Sequence, residues 1–127
     1  MSEQELPPWL KEQVSRLQQL QQNLQAIMMQ KQQIEIEMAE IDRALEELRK
    51  IESTSNSLIY KFAGPLLIRA DREGVQKELE DKKELSNTRS MVLGKQENRV
   101  KENLKEVENK INQMIKNMQG PMPGSSG

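Results

Sequence analysis

The fold of this chain is decided by a short central stretch, Leu58-Ile59-Tyr60-Lys61-Phe62-Ala63-Gly64-Pro65-Leu66-Leu67-Ile68. It contains the chain's one Tyr and one Phe, and its Gly64-Pro65 pair is a turn signal between two apolar runs. We therefore predict a β-hairpin over about residues 57–70, in which the chain reverses direction at Gly64-Pro65.

Both faces of this predicted hairpin are partly apolar, because side chains alternate between the two faces of a strand. The first strand divides into Leu58, Tyr60 and Phe62 against Ile59 and Lys61, and the second into Leu66, Ile68 and Ala70 against Leu67 and Arg69. An isolated two-stranded hairpin is marginal in water and leaves two open edges. We expect the apolar residues to mediate oligomerisation: Leu58, Ile59, Tyr60, Phe62, Leu66, Leu67 and Ile68. The alternative is a hairpin that folds onto its own helices as a cap.

Upstream of the hairpin, the sequence predicts a helix over about residues 8–52. Pro8 suits a first helical turn, and the segment contains no Gly. In a single heptad register, apolar side chains hold nine of the ten a and d positions between residues 17 and 48, and Lys31 is the exception. Such sustained spacing indicates a packed helix seam. We expect the helix to end at the small polar residues 53–57, which compete for backbone hydrogen bonds.

Downstream of the hairpin, a second helix is predicted over about residues 72–118, with Asp71 as its N-cap. Its later half carries two clean apolar columns, Leu93, Val100, Val107 and Met114 in one and Leu104, Ile111 and Met118 in the other. The apolar residues of its first half do not fit the register of the later half, which suggests a register shift near residues 85–93: Val75, Leu79, Leu85 and Val92.

Two helices of nearly equal length on either side of one reversal predict a mainly α fold. It is a long antiparallel two-helix coiled coil with one short β-hairpin at the helix–helix connection. We expect a single domain over residues 1–119 and a flexible C-terminal tail over residues 120–127. In this arrangement Lys31 and Glu97 come within about one layer of each other. They either extend outward to water or form a polar pair that fixes the register.

The composition supports a coiled coil and excludes several other classes. The chain of 127 residues is 35% apolar and 31% charged, well below the roughly 45–50% apolar content of a globular domain. Basic and acidic residues are interleaved with a net charge of −1, so no basic field favours nucleic acid or an anionic membrane. No apolar run approaches the length of a membrane span, and the acidic N-terminus is unlike a signal peptide. We expect a soluble, cytoplasmic protein.

Catalytic motifs are absent from the sequence. There is no Cys and no His, which removes the thiolate and the commonest general base and metal ligand. Gly94-Lys95 does not form a phosphate loop, because Arg89 stands where that motif needs Gly and Gln96 where it needs Ser or Thr. We therefore predict a protein that is not an enzyme and that has no catalytic, metal or cofactor site.

The end of the predicted coiled coil that carries both termini forms a second candidate surface. There the apolar stripe is wider than two helices require, because Val14 and Ile115 fall outside the seam. Trp9 adds a large anchor, and Met side chains suit surfaces that bind varied partners. The apolar side chains at this end either bind apolar segments of other proteins or simply close the end of the seam.

The hairpin motif identifies a known family. The sequence Tyr60-Lys61-Phe62-Ala63-Gly64-Pro65-Leu66-Leu67-Ile68 between two helices, the second starting near Asp71, resembles the β-type subunits of prefoldin. These include the archaeal β subunit and its eukaryotic relative, subunit six. The resemblance covers roughly residues 10–118, and its specific part is the hairpin. A single hairpin is similar to β-type rather than α-type subunits.

This resemblance implies a heterohexamer of two α-type and four β-type subunits, whose hairpins build a β-barrel platform carrying six coiled coils. It implies an ATP-independent holdase that needs no cofactor, binds non-native client proteins at the coiled-coil tips, and delivers them to a group II chaperonin. The corresponding tip residues in this chain are Trp9, Leu10, Val14, Ile111, Met114, Ile115 and Met118.

Two other functions remain open at this point. A structural coiled-coil tether without client binding would need only the seams, and it leaves the two apolar faces of the hairpin unexplained. An RNA-binding helical hairpin would need a basic stripe, which the interleaved charges do not provide.

Overall fold

The computed structural model describes residues 6–51 and 58–119. The element order is α1 (Pro8–Lys50), β1 (Ile59–Ala63), β2 (Leu66–Ala70) and α2 (Arg72–Gln119). The predicted fold class, two long helices joined by an antiparallel two-stranded hairpin, is therefore confirmed. The predicted helix stop at residues 53–57 and the predicted tail at residues 120–127 lie outside the described residues. In the described part of the chain, neither helix is long and apolar enough to cross a membrane.

The chain divides into two compact units. Unit 1 comprises Met1–Met29 and Gly94–Gly127, and unit 2 comprises Gln30–Leu93. Each unit contains a segment of α1 and a segment of α2, and unit 2 also contains the hairpin. The chain thus folds back so that the first turns of α1 and the last turns of α2 belong to the same unit.

The seam of α1 follows the predicted heptad register. The buried side chains of α1 all occupy a or d positions: Leu10 and Ile27 in unit 1, and Ile34, Ile41 and Leu48 in unit 2. Lys31, the polar member of the series, is half-buried. Full burial of one such Leu or Ile side chain contributes about 1.5–3 kcal/mol. This row of aliphatic side chains is therefore the main source of stability that α1 supplies.

The predicted register shift in α2 is wrong. One column with a seven-residue spacing continues without a break through Leu79, Ser86 and Leu93 into the later half of the helix, and Ser86 is only 3% exposed. Leu85 is 60% exposed, and Val92 also lies outside the seam. The small polar Ser86 therefore occupies the seam position, while its larger apolar neighbour Leu85 faces outward.

A hydrogen bond explains why a serine can be buried there. The Ser86 hydroxyl donates to Oε1 of Glu37 on α1 at 3.1 Å, so its polar oxygen has a partner despite its burial. Beside it, Lys83 Nζ on α2 lies 2.7 Å from Oδ1 of Asp42 on α1. In unit 2 the two helices are thus joined by polar contacts as well as by apolar packing.

The start of α2 confirms Asp71 as the N-cap. The Gly74 N–H donates to Asp71 Oδ1 at 2.9 Å, and the Val75 N–H donates to the Asp71 carbonyl at 3.1 Å. The side chain satisfies one backbone donor that the first helical turn otherwise leaves unpaired, which is typically worth about 1 kcal/mol. The cap therefore fixes where α2 begins, directly after the last residue of β2.

The hairpin turn depends on the backbone of Gly64. Ala63 pairs with Leu66, so the loop contains only Gly64 and Pro65. Gly64 has φ +62°, a left-handed conformation that disfavours a Cβ atom, whereas the proline ring holds φ near −65°. A positive φ at the first loop residue alone is the pattern of a type II′ turn, whose twist suits a two-residue hairpin.

Two glycine-to-alanine substitutions should therefore change stability in opposite directions. At both Gly64 and Gly94, no atom beyond the chain neighbours and the local helix backbone lies within 4 Å of the position that an added Cβ atom would take, so the backbone conformation decides the sign. We expect Gly64→Ala to destabilise the hairpin by about 1–2 kcal/mol, because an L-residue is strained at positive φ. Gly94→Ala lies inside α2 and should stabilise the chain by about 1 kcal/mol. Thermal unfolding of both variants measures the difference, and equal shifts would contradict this explanation.

Candidate functional site

The strand register divides the hairpin into two faces. Ile59 pairs with Ala70 and Lys61 with Ile68, so their side chains share one face, which we call the inner face. Tyr60 pairs with Arg69 and Phe62 with Leu67, and these side chains share the opposite, outer face. This division agrees with the alternation expected from the sequence.

The inner face is turned toward the first turns of α2. Ile59, Lys61 and Ala70 are half-buried, and Lys61 Nζ lies 3.3 Å from Oε1 and Oε2 of Glu78. A groove of about 420 Å³ lies between hairpin and helix, with Val75 in its wall. A partly exposed ion pair such as Lys61–Glu78 adds only about 0–1 kcal/mol. Its contribution is mainly geometric, because it links the middle of β1 to α2.

The outer face is uncovered. Phe62 is 78% exposed, and Leu58, Tyr60 and Leu67 are exposed on the same side. Contiguous apolar patches of this kind mark interaction surfaces in water-exposed proteins. The structure therefore gives no support to the alternative in which this face caps the chain's own helices. The remaining two predicted oligomerisation residues on β2, Leu66 and Ile68, are also exposed, although they belong to the inner face.

A side-chain bond connects the two helices at the base of the hairpin. Arg72 Nε, in the first turn of α2, donates to the backbone carbonyl of Leu48 at 3.2 Å. Leu48 lies in the last turn of α1, and its carbonyl also accepts a hydrogen bond from the Ile51 N–H at 3.3 Å. The Arg72 bond is therefore a second contact of that carbonyl, and it links the start of α2 to the end of α1 beside the hairpin.

The structure places all seven predicted client-binding residues in unit 1, but with different exposures. Trp9, Ile115 and Met118 are exposed, with Met118 the most open at 54%. Val14, Ile111 and Met114 are half-buried. Leu10 is only 4% exposed, so its side chain is not accessible to a client in this conformation. The first turns of α1 and the last turns of α2 in unit 1 thus carry these seven apolar residues, which we call the apolar cluster, and three of them are accessible.

Sequence reasoning missed two further features. The first is a set of exposed apolar side chains on the helices, Met28, Met29, Ile36, Leu85, Met91 and Val92, which all lie outside the heptad seam. Their off-seam positions are a signal that the sequence alone contains. The second is the buried side-chain oxygen of Gln13, Oε1. Its signal in the sequence is that Gln13, a polar residue, occupies a d position between Leu10 and Leu17.

The described residues offer binding surfaces rather than an arrangement of reactive groups. In residues 6–51 and 58–119, no cluster of three or more acidic side chains has the geometry to hold a metal ion. The groove beside Lys61 and Glu78 is open to solvent and lined by charges of both signs. In the described residues, the two apolar surfaces are therefore the candidate interaction sites.

Comparison with known proteins identifies the family. A family model described as prefoldin subunit matches residues 11–118. The chain is 37% identical to the prefoldin subunit beta of Sulfurisphaera tokodaii over 110 residues, which cover 87% of this chain and 86% of that protein. It is also 37% identical over 124 residues to the prefoldin subunit beta of Saccharolobus islandicus strain L.S.2.15, covering 98% and 96% of the two chains.

A solved structure shows the same architecture. The crystal structure of the prefoldin beta subunit from Thermococcus strain KS-1 superimposes with a TM-score of 0.75 at 31% identity, covering 88% of this chain and 96% of that one. The resemblance to β-type subunits that the hairpin motif indicated is thereby confirmed. The chain belongs to the prefoldin subunit family, a family of chaperone subunits.

Proposed function

We propose that this chain is a subunit of an ATP-independent holdase, which binds non-native polypeptides and delivers them to a group II chaperonin. The observation that carries the proposal is the apolar cluster of unit 1, where Trp9, Ile115 and Met118 are exposed and Leu10 is buried. Unfolded chains expose apolar side chains, and this cluster offers them apolar area with adaptable Met side chains.

The hairpin is proposed to build the assembly. Its outer face presents Tyr60, Phe62 and Leu67 to solvent, and a two-stranded sheet leaves open edges that pair with further strands. Burial of these side chains against other subunits would stabilise an oligomer. By its family, the expected assembly is a heterohexamer of two α-type and four β-type subunits in the cytoplasm.

Multivalency gives the proposed assembly its holding power. A cluster with three accessible side chains binds a client weakly, but several clusters on one platform act on the same client at a high effective concentration. Avidity can then exceed the affinity of one cluster by about 10²–10⁴. No nucleotide is needed in such a mechanism, because binding and release follow from many weak contacts.

The alternative function is a structural tether without client binding. Both functions use the helix seams, but only the chaperone needs the exposed cluster of unit 1. The test is suppression of aggregation of a chemically denatured protein by the chain reconstituted with an α-type prefoldin subunit. We expect a defined hexamer that keeps the denatured protein in solution without ATP. A hexamer that leaves aggregation unchanged would support the tether instead.

A further inference from the structure

Gln13 places a polar atom where the seam of unit 1 is otherwise apolar. It follows Leu10 by three residues and precedes Leu17 by four, so it occupies a seam position of α1. Its side chain is half-buried, and its Oε1 atom is buried without a hydrogen-bond donor in the described part of the chain. Buried carbonyl oxygens in native proteins nearly always have a donor, so this exception calls for an explanation.

The position of Gln13 connects it with the apolar cluster of unit 1. Trp9 lies four residues before it on α1, and Leu10, the buried member of the cluster, lies three residues before it. Side chains at these spacings are neighbours on one helix face. The unpaired oxygen therefore lies beside the surface that we propose to bind clients.

We propose that Gln13 is a client-recognition residue, whose side-chain oxygen accepts a hydrogen bond from a backbone N–H of the bound non-native segment. This inference rests on the proposed function and names the chemical group of the client that the site recognises, a backbone N–H. Every non-native segment carries backbone N–H groups, whatever its sequence, and these groups are not engaged in secondary structure. A backbone acceptor therefore favours unfolded segments over apolar surfaces in general.

The same bond would couple binding to a local opening of unit 1. Oε1 is buried, so a client N–H reaches it only after the seam beside Leu10 and Gln13 has separated. In the closed seam none of the described residues donates to this acceptor, whereas the client-bound seam supplies a donor. The client thus replaces apolar contacts of the seam with its own side chains and satisfies the acceptor at the same time.

The test compares an amide peptide with its ester analogues, for the unchanged protein and for three variants. The probe is a short, unstructured apolar peptide with a fluorescent label. In a series of analogues of this peptide, one backbone amide at a time is replaced by an ester, which removes a single N–H. Binding is measured by fluorescence anisotropy with the full chain in its assembled form. For the unchanged protein, we expect the ester at one or two positions to weaken binding about three- to tenfold, the value of one hydrogen bond.

The variant Gln13→Met removes the acceptor and keeps the side-chain size. We expect it to bind amide and ester peptides equally, and to show slower hydrogen exchange in the first turns of α1, because its closed seam no longer buries an unpaired oxygen. Gln22→Met makes the same change at an exposed position and should retain the discrimination. Gly94→Ala stabilises the helix without altering the seam and should retain it as well.

Four results would overturn the inference. Equal binding of amide and ester peptides by the unchanged protein would show that no N–H is read. Discrimination that persists in Gln13→Met would assign it to another residue, and unchanged hydrogen exchange in that variant would show that Oε1 has a donor in solution. If the unchanged protein bound none of the peptides, the proposed client binding itself would fail together with this inference.

Discussion

Replacement of Phe62 by Glu together with Leu67 by Lys is expected to abolish assembly with other prefoldin subunits. Both side chains lie on the outer face of the hairpin, and Phe62 is 78% exposed in the single chain. The changes therefore remove apolar area that only an oligomer buries, at about 1.5–3 kcal/mol for each large side chain and each copy. They also place charges where subunits would meet. Size-exclusion chromatography with light scattering should show free subunits instead of a hexamer.

The hairpin itself should survive these two changes. Residues 62 and 67 are direct cross-strand partners, so Glu and Lys at these positions form a favourable pair across the hairpin. The matched control is Met91→Glu with Val92→Lys, which exchanges two exposed apolar residues on α2 in the same unit. That control should assemble normally. Assembly of the hairpin variant would show that subunits meet elsewhere, and dissociation of both variants would show that net surface change alone is responsible.

Much of this fold could be predicted from the sequence, because its decisive features are local. Gly64-Pro65 defines a turn by backbone geometry alone, and Asp71 caps α2 through a bond to a residue three positions away. The seam of α1 follows from the heptad spacing of its apolar residues, which continues on both sides of the one polar member, Lys31. None of these features needs knowledge of what packs against them.

Two features that escaped prediction depend on partners distant in the sequence. Ser86 occupies the seam because Glu37, 49 positions earlier, accepts its hydrogen bond, and a count of apolar residues cannot show that. In the same way, both hairpin faces are apolar by composition, and the structure distinguishes them through the contact between Lys61 and Glu78. Leu10 is the opposite case, because its burial follows from the heptad register of α1.

Replacement of Trp9, Ile115 and Met118 by Gln is expected to abolish most of the client binding while the assembly stays intact. These are the exposed members of the apolar cluster of unit 1, and Gln keeps good helix propensity. The three substitutions remove apolar area that a bound client would partly bury. The affinity of one cluster for a client should therefore fall by about tenfold or more. Light scattering of a denatured protein during aggregation measures the loss, and circular dichroism verifies that helix content is unchanged.

Avidity should make the effect steeper in the assembly than in the isolated chain. When several clusters hold one client, the affinity of each cluster enters the overall avidity as a factor, so a modest loss per chain becomes a large loss of protection. The matched control is Met28→Gln with Met29→Gln, which removes two exposed methionines of the same unit from outside the cluster. If this control loses as much protection as the cluster variant, exposed apolar area in general holds the client. If neither variant loses protection, the client-binding surface lies outside the cluster.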